Sequence, residues 1–449
     1  METSLAIATP INSEPRSAKF VDQTRHRIAL RLLPFLFVVY ITNYLDRTSV
    51  AYAAIGMARD LGFSDRVFGM GAGVFFISYV ALQIPGALLV ERWSARRMIS
   101  ATMIAWGSMT ALTALVHTPT QLYLARFVLG AAEAGFFPGV IVYLSHWFIR
   151  EDRAKATSNF MSAIPLSFVL GSPIAGWILG HTWFDIAGWR WLFVLEGTPA
   201  IVLGVVALFY LTDWPSEAAW LAPEQRQWIT HTLEEEKPVN RRSVTLGEVL
   251  RSRTVVLLSF AAFFDYFAAY AVIFFLPTVL KRESGLSDMR VGLLGAIPYA
   301  VAFIAMLFNG WHSDRRLERR WHTAIPIFIA GVGLVGLICL PGSTTTTVVW
   351  LTVTCTFMAF LPTFWAIPTE ILTESTAALA VGMINAIASV AGFVGPYAFG
   401  YLNTRTGSFS SGLTLLAASA FTAAILIMLI AKEPPRTSSQ IGISLSASD

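Results

Sequence analysis

The chain reads as long apolar runs separated by short polar loops, many of them basic. A membrane-spanning helix needs about 20 apolar residues. Twelve such runs follow one another, starting near Ile28, Phe68, Met98, Gln121, Ala156, Trp189, Arg253, Met289, Trp321, Thr345, Ala377 and Gly412. One long polar stretch interrupts the series, from Asp213 to Ser252, and carries Glu234-Glu235-Glu236-Lys237 and Arg241-Arg242. Inside it, Glu224 to Glu236 has the make-up of a short amphipathic surface helix. The pattern predicts an all-α membrane protein: twelve transmembrane helices in two six-helix bundles. The expected divisions are an N-terminal tail (1–27), a first bundle (28–212), a linker (213–252), a second bundle (253–432) and a C-terminal tail (433–449). Both tails are rich in Ser, Thr and Pro and are expected to be mobile.

A short repeat supports the division. Glu91-Arg92-Trp93-Ser94-Ala95-Arg96-Arg97 follows run two, and Asp314-Arg315-Arg316-Leu317-Glu318-Arg319-Arg320 follows run eight. Both read acid-Arg, three residues, Arg-Arg, at equivalent places in the two halves, as parallel-repeat transporters have. Small residues are dense in several runs (Gly69, Gly71 and Gly73; Gly171 and Gly176; Gly392, Gly395 and Gly400), where helix packing accounts for them.

Composition agrees: 55% of residues are hydrophobic and 13% charged. The net charge of +4 does not point to nucleic acid. With the N-terminus placed in the cytoplasm, most Lys and Arg fall in cytoplasmic loops, so the basic clusters are orientation signals first. Cys339 and Cys355 both lie in apolar runs, which argues against a disulfide framework or a metal site. The polar first residues lack the features of a cleaved signal.

Two pairs of ionisable residues stand inside spanning runs: Asp46-Arg47, and Arg126 with Glu133. A charge at mid-bilayer depth costs about 2.5–3.5 kcal/mol or more. Arg126 and Glu133 are seven apart, which puts them on one helix face about 10.5 Å apart, too far to pair directly, with Gly130 leaving space between them. Asp46 and Arg47 are adjacent and point about 100° apart, so one can face a cavity and the other a neighbouring helix. Two readings stay open. The four can form a structural network, Asp46 holding Arg126 or Arg47 holding Glu133. An acid that changes partners as it gains and loses a proton is instead a switch.

Polar and aromatic groups accompany these charges at helical spacing: Tyr40, Asn43, Tyr44 and Arg47; Tyr79 and Gln83; Tyr266 and Tyr270; Asn385 and Ser389. Trp365 lies between Pro362 and Pro368. Together they offer donors around a central cavity. Asp265 reads either as a third proton site or, the preferred reading, as a solvated charge near the interface. Glu370 and Glu374 read as interface charges. No enzyme constellation is legible, the histidines form no metal-spaced cluster, and no Walker A motif points to ATP.

These residues bring a family into view. The chain resembles the major facilitator superfamily over roughly residues 28–432, and within it the anion:cation symporters, which include bacterial permeases for phthalate, tartrate, hydroxyphenylacetate and sugar acids. The resemblance rests on Asn43-Tyr44-Leu45-Asp46-Arg47 and on Arg126-Phe127-Val128-Leu129-Gly130-Ala131-Ala132-Glu133-Ala134-Gly135-Phe136-Phe137-Pro138-Gly139. Gly86 to Arg97 resembles the superfamily's cytoplasmic gating loop, with Glu91 for the usual Asp and Ser94 for the usual Gly; Gly310 to Arg315 is a looser second copy. The resemblance implies the major facilitator fold, cytoplasmic termini and alternating access. It implies coupling protons on Asp46 and Glu133 and a role for Arg47 and Arg126 with the substrate carboxylate. It also implies a site lined by Tyr44, Tyr79 and Asn385. Gating would fall to Glu91, Arg92, Arg96, Arg97, Asp314 and Arg315. Sugar-acid carriers of this group tend to have Gln where this chain has Ile164, so a less polar or aromatic acid is the better fit, provided Ile164, Phe168 and Trp365 face the cavity.

The expected function is proton-coupled symport of a small organic carboxylate into the cell. The expected binding residues are Arg47, Arg126, Tyr44, Tyr79, Gln83, Tyr270, Trp365 and Asn385. The expectation includes no cofactor, no nucleic acid, no ATP and a working monomer in a bacterial cytoplasmic (inner) membrane. Exchange or efflux through the same site, a non-transporting receptor, and Na⁺ in place of H⁺ are the alternatives.

Overall fold

The computed structural model describes residues 17–236, 251–340, 342–371 and 374–430. In chain order its helices are α1 (Ala18–Leu61), α2 (Asp65–Arg92), α3 (Ala95–Thr113), α4 (Pro119–Glu133), α5 (Phe136–Trp147), α6 (Arg150–Met161), α7 (Ala163–Leu179), α8 (Gly188–Tyr210) and α9 (Pro223–Glu235). After the linker come α10 (Arg253–Ser284), α11 (Asp288–Arg316), α12 (Arg320–Cys339), α13 (Thr344–Cys355), α14 (Leu361–Ile371), α15 (Glu374–Thr406) and α16 (Ser410–Met428). Several helix starts carry side-chain acceptors: Ser64 caps α2, Ser94 caps α3, Thr118 and Gln121 form a capping box on α4, and Ser252 caps α10. Gly62 and Gly285 end α1 and α10 at φ 67° and 63°, the left-handed conformation that glycine adopts without steric cost.

Among the described residues, 11 helical stretches are long and apolar enough to cross a membrane. The twelfth expected span is α3. It is 19 residues long but rich in hydroxyl groups, and it buries Ser100, Thr102, Thr110 and Thr113 against its neighbours. Its Ser100 Oγ donates to the Gly204 carbonyl of α8 at 2.5 Å, so protein rather than lipid satisfies its polarity. The expected surface helix is α9, with Ile229 buried beneath it.

Three of the spans are broken, and proline marks each break. Pro138, Pro165 and Pro362 sit in the first turns of α5, α7 and α14. Proline offers no N–H and its ring crowds the carbonyl four residues back, so a helix cannot run through unchanged. The chain instead turns at Ala134-Gly135, turns at Ser162, and tightens into a 3₁₀ segment at Thr356–Phe360.

The halves meet symmetrically. Along the seam α2 packs on α15 and α7 on α11, so the second span of each half meets the fifth span of the other. Glycine lets these backbones touch. A Cβ on Gly69 would lie 2.3 Å from the Pro396 carbonyl oxygen, and one on Gly176 would lie 2.7 Å from Gly292 Cα.

Candidate functional site

A cavity of about 640 Å³ lies between the halves, within the range of small-molecule sites. The three broken spans bend around it and give it Phe136, Met161, Ile164, Phe357 and Leu361. It reaches toward the end of the molecule that carries the linker: Gln83, Val142, Thr157, Trp365 and Gly382 all lie in the linker-side halves of their helices. A Cβ on Gly382 would meet nothing within 4 Å.

Of the residues expected to bind substrate, Tyr44, Arg47, Tyr79, Gln83, Tyr270, Trp365 and Asn385 line this cavity, and so does Glu133. Asp46 and Arg126 are not among the lining residues. The adjacent pair thus splits as helix geometry requires, Arg47 toward the cavity and Asp46 away from it. Ile164 and Phe168 also face the cavity, giving it the apolar wall expected of a less polar ligand.

The four charges form two buried ion pairs. Arg47 Nη2 donates to Glu133 Oε1 at 3.1 Å. Arg126 Nη1 lies 3.4 Å from Asp46 Oδ2, and Thr110 Oγ1 donates to Asp46 Oδ1 at 2.9 Å. The Phe75 ring stands between the pairs, with the Arg47 guanidinium 5.7 Å and the Arg126 guanidinium 4.9 Å from its centre. Tyr44 lies under Arg47 at 4.5 Å. Neither pair is saturated: Arg47 Nε, Arg126 Nε and Nη2, and Glu133 Oε2 are buried without a hydrogen-bond partner. Buried polar atoms without a partner are uncommon in folded proteins. The space expected at Gly130 is filled by α2, because a Cβ there would lie 2.1 Å from the Phe75 carbonyl oxygen.

Away from the linker the cavity is closed, and the closure is reciprocal. Arg282 grips Asp65 with both amino nitrogens, at 2.7 and 2.5 Å. Arg59 reaches Asp288 at 3.5 Å, and Lys281 meets the same carboxylate at 2.7 Å. Each arginine closes on the acid of the opposite half. The sequence carried this signal unread: Arg59-Asp60-Leu61-Gly62-Phe63-Ser64-Asp65 and Arg282-Glu283-Ser284-Gly285-Leu286-Ser287-Asp288 share Arg-x-x-Gly-x-Ser-Asp. The spacing places the base on the last turn of one helix and the acid at the start of the next, where the helix dipole favours it.

This end should open when the grip is removed. In a background with Cys339→Ser and Cys355→Ser, Thr278→Cys places a thiol beside the clamp. Adding Arg282→Ala should raise its labelling by a membrane-impermeant maleimide several-fold. An unchanged rate would show that the glycine contacts alone hold the end shut.

At the linker end, the first gating loop is tied into its own half. Asp213 accepts from Ser94 Oγ at 2.6 Å and from the Arg96 backbone N–H at 2.8 Å, an anchor that sequence reading missed because it lies far along the chain. Arg97 closes the Ser94 cap through its backbone N–H. In the second loop Asp314 pairs with Arg319, and the Arg315 guanidinium lies 5.5 Å from the Trp311 ring centre. Two histidines scattered in sequence also meet here, His312 and His322, 2.7 Å apart, with Glu318 next to His322. Burial pushes the Glu318 carboxyl up, but the Trp321 backbone N–H and His322 more than offset this and hold it below the usual carboxylate range. The side chains of Glu91, Arg92, Glu370 and Glu374 lie outside the described residues.

Asp265 corrects an expectation. Rather than sitting solvated near the interface, it lines the cavity at 2% exposure.

The family model described as Major Facilitator Superfamily matches residues 36–396 and 258–445. A relative from Agrobacterium vitis, named for tartrate transport, is 38% identical over 92% of this chain and 96% of its own. The metabolite transport protein NicT of Pseudomonas putida is 34% identical over 90% of this chain and 93% of its own. The inner membrane transport protein RhmT of Escherichia coli is 33% identical over 92% and 96%. Among solved structures, an inward-facing bacterial homolog of the human lysosomal transporter Spinster superposes with TM-score 0.71 at 20% identity, covering 92% of this chain and 97% of that one. The inward-open xylose transporter XylE of E. coli superposes at 0.70 and 15% identity, covering 90% and 97%.

Proposed function

The chain belongs to the Major Facilitator Superfamily, and from that premise we propose that it carries a small organic carboxylate across the membrane together with protons. It is a multi-pass membrane transport protein and not an enzyme. The observation that carries the finer reading is the Arg47–Glu133 pair at the cavity wall. A proton on Glu133 would neutralise it and release Arg47, whose planar fork can then bind a carboxylate through two bonds. Anion and proton would enter together and leave together, because each loosens the pair that excludes the other. Asp46 and Arg126, beside them behind Phe75, would pass charge between the site and the rest of the first half. Relatives named for tartrate transport support a carboxylate substrate, and the tyrosines, Gln83 and Asn385 supply donors for its other oxygens.

Transport direction follows from the gradient. A ligand shifts the balance between the two openings only by its preference for one of them. A potential of 100 mV supplies about 2.3 kcal/mol per net charge moved, so a monoanion gains from it only with more than one proton. The proposed setting is a bacterial inner membrane with both termini cytoplasmic, which makes the open end in this state the cytoplasmic one.

The test is proton movement into liposomes holding the purified protein, on addition of phthalate, hydroxyphenylacetate, tartrate, aldonates or short diacids. Alkalinisation outside with at least one acid is the expected result. Silence across the panel, with counterflow of the same acids still measurable, would replace symport by exchange. Dependence on Na⁺ at fixed pH would replace the proton.

A further inference from the structure

The cavity holds an acid that the coupling scheme leaves idle. Asp265 projects from the same face of α10 as Tyr266, Ala269 and Tyr270, all of which line the cavity. It is 2% exposed, its Oδ2 has no hydrogen-bond partner, and no cation pairs with it among the described residues. A buried carboxylate left alone costs several kcal/mol, and a bare one beside an anion site also repels the ligand. Its partner is therefore to be sought in what enters the cavity.

We propose that Asp265 receives a hydrogen-bond donor on the far end of the substrate, a protonated nitrogen above all, so that the preferred substrate is a carboxylate with a donor opposite its carboxyl group. This rests on the reading of Arg47 as the carboxylate's partner. Placement supports it. Tyr270 stands close enough to interact with the Arg47 charge, and Asp265 is five residues from Tyr270 toward the linker, about 7.5 Å along the helix. A ligand that spans this offset is elongated rather than compact. Tyr266, Phe360 and Trp365 line the same cavity, so it offers aromatic faces to a flat ring. Arg47 belongs to the first half and Asp265 to the second. A ligand that touches both ties the halves together and favours closure around itself, which a ligand held by Arg47 alone does not.

The experiment measures equilibrium binding of four matched acids to the purified full chain: 4-(aminomethyl)benzoate, 4-(hydroxymethyl)benzoate, 4-methylbenzoate and terephthalate. In the unaltered protein the aminomethyl acid should bind at least about tenfold tighter than the methyl acid. The hydroxymethyl acid should fall between them and terephthalate should be weakest. Asp265→Asn should remove the aminomethyl advantage, tighten 4-methylbenzoate modestly and improve terephthalate more. Asp265→Ser should do the same, and retained 4-methylbenzoate binding shows that both variants fold. If Asp265→Asn preserves the order of the four, the donor role is overturned while the carboxylate reading stands. The same holds if it preserves the order but stops proton movement, in which case Asp265 is a proton site. If the unaltered protein binds none of the four, nor any acid of the liposome panel, the carboxylate reading fails and this inference fails with it.

Discussion

Glu133→Gln is expected to abolish concentrative uptake, by at least about tenfold in accumulation ratio, while exchange of labelled substrate across the membrane stays measurable. Glutamine keeps the shape of the side chain and can still accept from Arg47 Nη2, which lies 3.1 Å from Oε1 in the native pair. It cannot carry a proton. Arg47 is then never held by a charge and never released by one, so anion binding and proton binding come apart. The substrate still binds and the halves still rock, but the proton gradient does no work on the cycle. Counterflow in liposomes, with and without an imposed pH gradient, separates the two. Uptake by Glu133→Gln that still concentrates substrate and still depends on the gradient would rule Glu133 out as the coupling residue and leave Asp46 to be tested by Asp46→Asn.

Arg126→Leu should be the most destabilising single change among the four buried charges. Arg126 is 1% exposed, and its removal leaves Asp46 charged at 3% exposure with Thr110 as its remaining hydrogen-bonding side chain. Breaking a buried ion pair from one side costs about 3–5 kcal/mol, whereas replacing both partners with neutral groups is often tolerated. The double variant Asp46→Asn with Arg126→Leu should therefore recover most of the lost thermal stability. Both variants should lack normal coupled uptake. Recovery of stability without recovery of transport would mark the Asp46–Arg126 pair as functional machinery that the fold could dispense with. A double variant as unstable as the single one would show that Arg126 acts by filling space against Phe75 rather than by charge.

These pairs show how far the chain could be read without its structure. The choice of Asp46, Arg47, Arg126 and Glu133 came from a bilayer argument, since charge in an apolar run is expensive wherever it sits. Helix geometry also separated Arg47 from Asp46 and kept Arg126 from Glu133. The pairings Asp46 with Arg126 and Arg47 with Glu133 stood among the open readings, but whether they form was beyond the sequence, because the partners are 80 and 86 residues apart. Arg126 was expected at the substrate; the packing turns it to Asp46 and away from the cavity wall. The clamp at the closed end was legible in principle, through the repeated Arg-x-x-Gly-x-Ser-Asp, and was passed over because loop charges were read only as orientation and gating signals. Asp265 was misplaced for a related reason. Its distance from the end of an apolar run says little about depth when α10 extends 32 residues.

The sequence by itself determined the solvent, the number of crossings and the two-fold plan. Those depend on local quantities: twenty apolar residues bury themselves in lipid, polar stretches stay out, and a repeated motif folds the same way twice. Proline alone did not determine where helices break: Pro138, Pro165 and Pro362 stand at breaks, whereas Pro34, Pro277 and Pro396 lie inside continuous helices. Tertiary structure decided everything that needs two distant segments in one place. It set the partners of the charges, the anchoring of the first gating loop on Asp213, the end at which the cavity is open, and the arrival of Asp265 in the cavity wall. Those follow from which helix faces meet, and contacts between faces many residues apart leave no periodic trace in the chain.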